Sequence, residues 1–94
     1  MRTIITFDIS NDRKRYRATK VLKTVGVRVQ KSVFEATSMP RALYLRIRSK
    51  LEGIVVPETD SLRYYSLCAT CAARIEHFGA GPHRIAEPED VEIL

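Results

Sequence analysis

The feature of this sequence that most constrains its fold is a short apolar run that ends at an acidic residue. Residues 4–9 read Ile-Ile-Thr-Phe-Asp-Ile, and a polar Ser-Asn-Asp triplet follows them. The run is typical of a β-strand, and the triplet is typical of a turn before a helix. Alternation gives this strand two faces, one with Ile5, Phe7 and Ile9 and one with Ile4, Thr6 and Asp8. The first face is predicted to lie in the core. Asp8 is then solvated, bound to a metal or turned toward a partner, unless it merely begins the turn.

A basic helical pattern follows this turn. The side chain of Asn11 or Asp12 can accept a backbone N–H at the helix start, and the pattern continues to about Val25. Apolar residues recur at helical spacing along one stripe, at Ala18, Val21, Leu22 and Val25. The residues away from that stripe are Arg13, Tyr16, Arg17, Lys20 and Lys23. Gly26 is the expected end of the helix.

Residues 27–36 have strong strand propensity but do not alternate cleanly. Val27, Val29 and Val33 share one parity, and the apolar Phe34 interrupts the polar residues of the other. This interruption predicts a bulge, or a strand that is buried on both faces. A break near Gln30 and Lys31 would divide the segment into two strands.

A second helix and two further strands are predicted in the rest of the chain. The helix would have Ser38 as its cap and Pro40 in its first turn, and would run to about Gly53. Its inner face would carry Leu43, Ile47 and Leu51. Residues 60–67 and 73–78 are predicted strands, joined through a Cys-x-x-Cys turn. If residues 27–36 form one strand, the order is β-α-β-α-β-β, and a break there restores the β-α-β-β-α-β order of a ferredoxin-like fold.

Length and charge limit what such a chain can do. Its 94 residues predict one domain with a modest core, in which an open sheet often needs a partner to cover its second face. The net charge of +5 favours an anionic partner such as nucleic acid. No apolar run approaches the roughly 20 residues of a membrane span, and no signal peptide is evident. We therefore expect a cytoplasmic protein that does not enter a membrane.

The two cysteines, Cys68 and Cys71, form a lone Cys-x-x-Cys pair. A four-ligand zinc site would need two more ligands, and His77 and His83 are the histidines that the chain offers. Two thiols without a special role, a redox pair and a metal site all remain open.

Three passages together resemble the Cas-two family of small CRISPR-associated proteins. They are residues 7–17, with Phe-Asp-Ile-Ser-Asn-Asp followed by alternating arginines, residues 26–35, and residues 60–68 with Gly79 beyond them. The resemblance covers nearly the whole chain. It implies a ferredoxin-like α+β sandwich, an antiparallel sheet with two helices on one face, that forms a homodimer through its sheet faces. Residues 1–80 would form this domain, and residues 81–94 a linker and a short strand that packs on the partner subunit.

The resemblance also implies site residues. Asp8 would face its copy across the two-fold axis and hold Mg²⁺ or Mn²⁺, because such cations prefer carboxylate oxygen and keep several waters. Arg15 and Arg17 would stabilise phosphate charge, although a solvated basic face explains them nearly as well. Arg28 and Phe34 match positions associated with activity in some members, although Phe34 also suits a core. Ser32 would donate to a phosphate oxygen, unless it simply ends a strand. The residues expected to bind nucleic acid are Arg13, Arg15, Arg17 and Lys20.

Two functions of different classes follow from the resemblance. The first is a metal-dependent endonuclease of RNA or DNA in antiviral defence, at the centre of the complex that acquires new spacers. The second is a scaffold that binds duplex DNA and bridges integrase subunits without cutting. An RNA-binding sheet of the RRM type is disfavoured because the aromatic-rich pattern of that class is absent.

Overall fold

The computed structural model of this protein describes residues 2–79, which form one sheet, two long helices and one short helix. The elements in chain order are β1 (Arg2–Asp8), α1 (Asp12–Lys23), β2 (Val27–Gln30), β3 (Val33–Ala36), α2 (Arg41–Glu52), β4 (Ser61–Leu67) and α3 (Ala69–Ala72). The segment that lacked clean alternation is therefore two strands. The ladder between β2 and β3 shifts between Arg28 and Gln30, so both the bulge and the division of this segment are confirmed.

The sheet has the strand order β2-β3-β1-β4, and each pairing is antiparallel. It follows that β2 runs parallel to β1, and that β4 runs parallel to β3. Each parallel pair is joined by a crossover through a helix, α1 in the first and α2 in the second. Crossovers of this kind are right-handed, which places both helices on the same face of the sheet. The predicted ferredoxin-like α+β sandwich is thus confirmed.

The core lies between this face and the two helices. Ile5 and Phe7 of β1 are buried, as is Ile9 just after it, as the alternation predicts. Phe34 of β3 lies directly across from Ile5 and stacks on Phe7, with ring centroids 6.2 Å apart. The helices contribute the predicted stripe residues Ala18, Leu22, Ile47 and Leu51, with Val21, Val25 and Leu43 packed around them.

Within residues 2–79 no long helix covers the opposite face of the sheet, and we call this face the outer sheet face. Strand register and pleating place on it Ile4, Thr6, Asp8, Val33, Glu35, Arg63 and Tyr65. Ile4, Thr6 and Val33 are half-buried, whereas Tyr65 is 44% exposed. An ion pair between Arg2 and Glu35, 3.3 Å apart, is largely buried on this face. The outer sheet face is therefore mixed in character, with apolar side chains beside a buried charged pair.

Three local predictions differ from the structure. The second helix begins at Arg41 with Pro40 at its N-cap and no capping side chain, so the Ser38 cap is wrong. Residues 73–78 form no strand, because α3 ends at Ala72 and an irregular segment follows. Helix α1 ends at Lys23 with Thr24 as its C-cap, so it ends before Gly26. Gly26 is instead required because a Cβ there would lie 2.6 Å from the carbonyl oxygen of Glu35 on β3.

Candidate functional site

Asp8 is the last residue of β1, and its side chain is exposed. It lies opposite Ser61, the first residue of β4. On its other side the backbone N–H of Phe7 donates to the carbonyl oxygen of Ser32 at 3.1 Å, so the β2–β3 turn runs alongside. As one of the two central strands of the sheet, β1 therefore holds this carboxylate on a rigid element, at one end of the outer sheet face.

A second carboxylate, Asp60, fixes the loop that follows Asp8. The backbone N–H and the hydroxyl of Ser10 both donate to Asp60 Oδ1, at 3.2 and 3.1 Å, and the N–H of Val56 donates to Oδ2 at 2.9 Å. The N–H groups of Val56 and then Ser10 lower the pKa of Asp60 below its ordinary value. Asp60 thus joins the β1–α1 loop to the loop before β4. Asp60 belongs to one of the three passages noted in the sequence. Its partner Ser10 lies 50 residues away, so no local pattern could predict their contact.

Arg15 holds the same loop from the helix side. Its Nε donates to the carbonyl oxygen of Ile9 at 3.0 Å, and one terminal nitrogen lies 2.7 Å from the Asp12 carboxylate. The N-cap of α1 is Asn11, whose side chain accepts the N–H of Lys14. The structure therefore places Arg15 as a residue that positions the Asp8 loop, with its side chain still 31% exposed.

The three candidates in the β2–β3 region have different surroundings. Arg28 donates twice to the carbonyl oxygen of Lys31, at 3.1 and 2.8 Å, and its guanidinium lies 5.9 Å from the Phe34 ring centroid. Ser32 lies in the β2–β3 turn, and its backbone carbonyl oxygen accepts the N–H of Phe7, the residue before Asp8. Phe34 is 2% exposed in the core. In this structure Phe34 packs in the core, Arg28 closes the hairpin, and Ser32 is bonded through its backbone carbonyl to Phe7.

The basic residues of α1 lie on the other side of the sheet. Arg17 and Lys20 line an open groove of about 440 Å³ between α1 and the end of α2. Lys50 lines the groove from α2, together with Val21, Ser49, Gly53 and Ile54. Arg13 and Tyr16 are exposed on the same helix, and Lys20 lies 5.4 Å from the Tyr16 ring centroid. We refer to Arg17, Lys20 and Lys50 as the basic groove.

Lys50 is a groove residue for which no role was predicted from the sequence. A basic residue in the last turn of α2 is visible in the sequence, but its proximity to α1 comes from helix packing. The structure therefore separates two groups. Asp8 lies on the outer sheet face, and the basic groove lies in the helix layer.

The donor chemistry near Asp8 fits half of a site for a hard divalent cation. Mg²⁺ is commonly bound through one or two carboxylates and keeps several waters. Residues 2–79 of one chain contain no group of three or more His, Cys, Asp or Glu side chains that could hold a metal. A single copy therefore presents one carboxylate, and a second copy would have to supply the other.

Together, the fold and the site define a small ferredoxin-like α+β protein with an exposed carboxylate at the end of β1 and a basic helix layer. Within that class, the family described as CRISPR associated protein Cas2 matches residues 1–75. The chain belongs to this family, the Cas-two proteins that the three sequence passages resembled. No helix among residues 2–79 is long and apolar enough to cross a membrane.

The relatives and solved structures extend this result. The chain is 41% identical over 80 residues to a protein named CRISPR-associated endoribonuclease Cas2 1 from Chloroflexus aurantiacus, which covers 84% of this chain and 85% of that protein. The crystal structure of Streptococcus pyogenes Cas2 superposes with a TM-score of 0.72 at 30% identity, over 84% of this chain and all of the other. A chain of a structure described as a partial Cas6–RT–Cas1–Cas2 complex gives a TM-score of 0.71 at 26% identity, over 93% of each chain.

Proposed function

We propose that two copies of this chain pair through the outer sheet face and hydrolyse phosphodiester bonds of RNA in a CRISPR system. The observation that carries this proposal is the position of Asp8, an exposed carboxylate held at the end of the central strand β1 of the sheet, which pairs on both sides. Family membership and the endoribonuclease names of the relatives support the reaction class. DNA is the other substrate to be tested, because the chemistry of the bond is the same.

The outer sheet face supports pairing between two copies. Its half-buried Ile4, Thr6 and Val33 lie beside the more exposed Tyr65, and a second copy of the same face would cover all four. A two-fold interface uses the same patch on both subunits. Because Asp8 lies on this patch, such an interface could bring the two Asp8 carboxylates together, and this would complete the half-site described above.

The side chains then have separate roles in the proposed mechanism. The Asp8 pair would hold Mg²⁺ or Mn²⁺, which when bound stabilises negative charge on the phosphate and acidifies a water. Arg15 positions the loop that leads away from Asp8, through the carbonyl oxygen of Ile9. Ser32, whose carbonyl oxygen accepts the N–H of Phe7, would donate its hydroxyl to a phosphate oxygen, and Arg28 keeps its turn closed. The basic groove and Arg13 would hold the rest of the nucleic acid by its backbone.

The first prediction is that Asp8→Asn abolishes cleavage, because the change removes one carboxylate charge per subunit and keeps the side-chain size. The measurement is the rate of cleavage of labelled single-stranded RNA with Mg²⁺, with Mn²⁺ and with EDTA. We expect a loss of at least about 100-fold, the usual scale for removal of a group that acts in the reaction. Binding of nucleic acid and the mass in solution should stay the same.

The matched control is Glu58→Gln, which removes one charge from an exposed carboxylate in the loop before β4. This variant should cut as fast as the wild type. If Asp8→Asn also cuts at the wild-type rate, the activity does not come from this site. If the wild type cuts neither RNA nor DNA with any metal, the nuclease proposal is wrong for this chain.

A second function, a scaffold that joins integrase subunits on duplex DNA, is favoured by the similarity to a chain of the complex that contains Cas1. It would use the basic groove and would not need the Asp8 charge. An integration assay with the integrase subunits and a DNA substrate separates the two functions. Under the scaffold function, Asp8→Asn supports integration at the wild-type rate.

A further inference from the structure

The end of β4 carries two thiols that the proposed function does not use. Cys68 directly follows β4 and caps the one-turn helix α3, and Cys71 is the third residue of that helix. The Sγ atom of Cys68 accepts the backbone N–H of Cys71 at 3.5 Å. Both side chains are exposed and neither belongs to the hydrophobic core. Packing therefore does not explain why two cysteines occupy these positions.

The local geometry allows the two sulfur atoms to be joined. Residues three apart on a helix have Cβ atoms about 5–6 Å apart, and a disulfide brings its two Cβ atoms to about 3.5–4.5 Å, so the two Cβ atoms must move about 1–2 Å closer. The hydrogen bond already turns Cys68 Sγ toward Cys71. A modest movement of this single turn is therefore enough, and the sheet ladder of β4 need not change.

The two thiols are chemically unequal. The backbone N–H of Cys71 lowers the pKa of the Cys68 thiol, with a further contribution from the Cys71 side chain. The hydrogen bond to Cys68 raises the pKa of the Cys71 thiol. Since the thiolate is the reactive form, Cys68 is the better nucleophile at neutral pH.

A zinc site built from this pair finds little support in the described part of the chain. A closed zinc site needs four ligands, and no third His, Cys, Asp or Glu lies close enough to complete a cluster within residues 2–79. The ring Nε2 of His77 instead lies 2.9 Å from the carbonyl oxygen of Gly79. A dithiol reaction needs no third ligand.

From this geometry we infer that Cys68 and Cys71 form a redox-active pair that reacts with small-molecule disulfides such as oxidised glutathione. The Cys68 thiolate attacks one sulfur of the disulfide, forms a mixed disulfide and releases one thiolate, which takes up a proton. The Cys71 sulfur then loses its proton and attacks Cys68, which closes the Cys68–Cys71 disulfide and releases the second small thiol. The protein dithiol is oxidised by two electrons, and the small disulfide is reduced to two thiols.

The test uses the whole chain, reduced and then treated with oxidised glutathione without other oxidants. Trypsin cuts after Arg63 and Arg74, so one peptide of residues 64–74 contains both cysteines. Mass spectrometry should find this peptide lighter by two hydrogen atoms, and dithiothreitol should restore its mass. If the peptide instead carries two glutathione adducts, or if chains become cross-linked, the inference is wrong.

Two single variants test the order of the steps. Cys71→Ser should trap one glutathione on Cys68, because the resolving thiol is absent. Cys68→Ser should react with iodoacetamide at least several-fold more slowly than Cys71→Ser at neutral pH. In guanidinium the two variants should react at the same rate, because the difference depends on the folded turn. Equal rates in the folded protein would overturn the assignment of Cys68 as the nucleophile.

Discussion

Two carboxylates near the end of β1 show how the surroundings of a residue determine its role. Asp60 accepts hydrogen bonds from Ser10, Val56 and Thr59, which leave it little capacity for a further partner. Asp8 accepts no hydrogen bond from the described residues and stays exposed at the strand end. The first residue therefore organises the loop, and the second is available for chemistry.

The second prediction concerns Asp60→Asn, which should lower the free energy of unfolding at neutral pH by weakening the bonds from Val56 and Ser10. The folded-state pKa of Asp60 lies below its ordinary value of 3.8. Its stabilisation is therefore fully present above the ordinary value and is lost as the pH falls through the folded-state value. Urea unfolding at pH 7 and at about pH 3, below the ordinary carboxyl range, measures the effect.

The difference in the free energy of unfolding between the wild type and Asp60→Asn should be smaller at about pH 3 than at pH 7. Glu58→Gln, in the same loop, is the control for the loss of one negative charge and should show no such pH dependence. A difference between Asp60→Asn and wild type that stays constant at acidic pH would contradict the role assigned to Asp60.

At the scale of elements, α1 and α2 together form a surface that neither helix presents alone. The basic groove combines Arg17 and Lys20 of α1 with Lys50 of α2, above an apolar floor that includes Val21 and Ile54. Clustered positive charge attracts the phosphate backbone of nucleic acid without regard to base sequence. Counterions are released from the phosphates when the protein binds.

The third prediction is that replacing Arg17, Lys20 and Lys50 by Gln weakens binding to duplex DNA and flattens its dependence on salt. Each lost phosphate contact should reduce the slope of log K against log salt by about 0.9. Fluorescence anisotropy over a salt series provides the measurement. Arg41→Gln, at the opposite end of α2, is the control and should behave like the wild type. An unchanged slope in the triple variant would exclude the basic groove from the binding surface.

At the scale of the whole molecule, the sheet has one face covered by helices and one face that combines Ile4, Val33 and Tyr65. The expected strand at residues 91–94 and the linker before it lie outside the described residues, so their proposed packing on a partner stays a prediction. The expectation of a cytoplasmic protein also stays a prediction. The described residues of the outer sheet face nevertheless allow a direct test of pairing.

The fourth prediction is that the wild type sediments as a dimer and that Tyr65→Glu does not. A carboxylate buried without a partner costs several kcal/mol, so we expect the dimer to weaken by about 100-fold or more. Leu45→Glu is the matched control, because Leu45 is 47% exposed on α2, in the helix layer. It should leave the dimer intact. A dimer that survives Tyr65→Glu unchanged would place the interface elsewhere.

Local patterns in the sequence were sufficient for much of this fold. The alternation of residues in β1 predicted which face of the strand is buried, and the apolar stripe of α1 predicted which side of the helix faces the core. Both patterns depend only on residues a few positions apart. The Cas-two passages indicated the family. Asp8 lies at the exposed end of β1, and its role in catalysis stays a prediction.

The tertiary structure decided what depends on residues distant in the chain. Gly26 is needed where β2 passes the carbonyl of Glu35, Asp60 binds Ser10 across 50 positions, and Lys50 meets α1 only after the helices pack. The predicted strand at residues 73–78 failed for the same reason, since a short apolar segment forms a strand only where a neighbouring strand offers its hydrogen bonds. Periodicity identifies the buried side of an element, whereas its partners are set by the path of the whole chain.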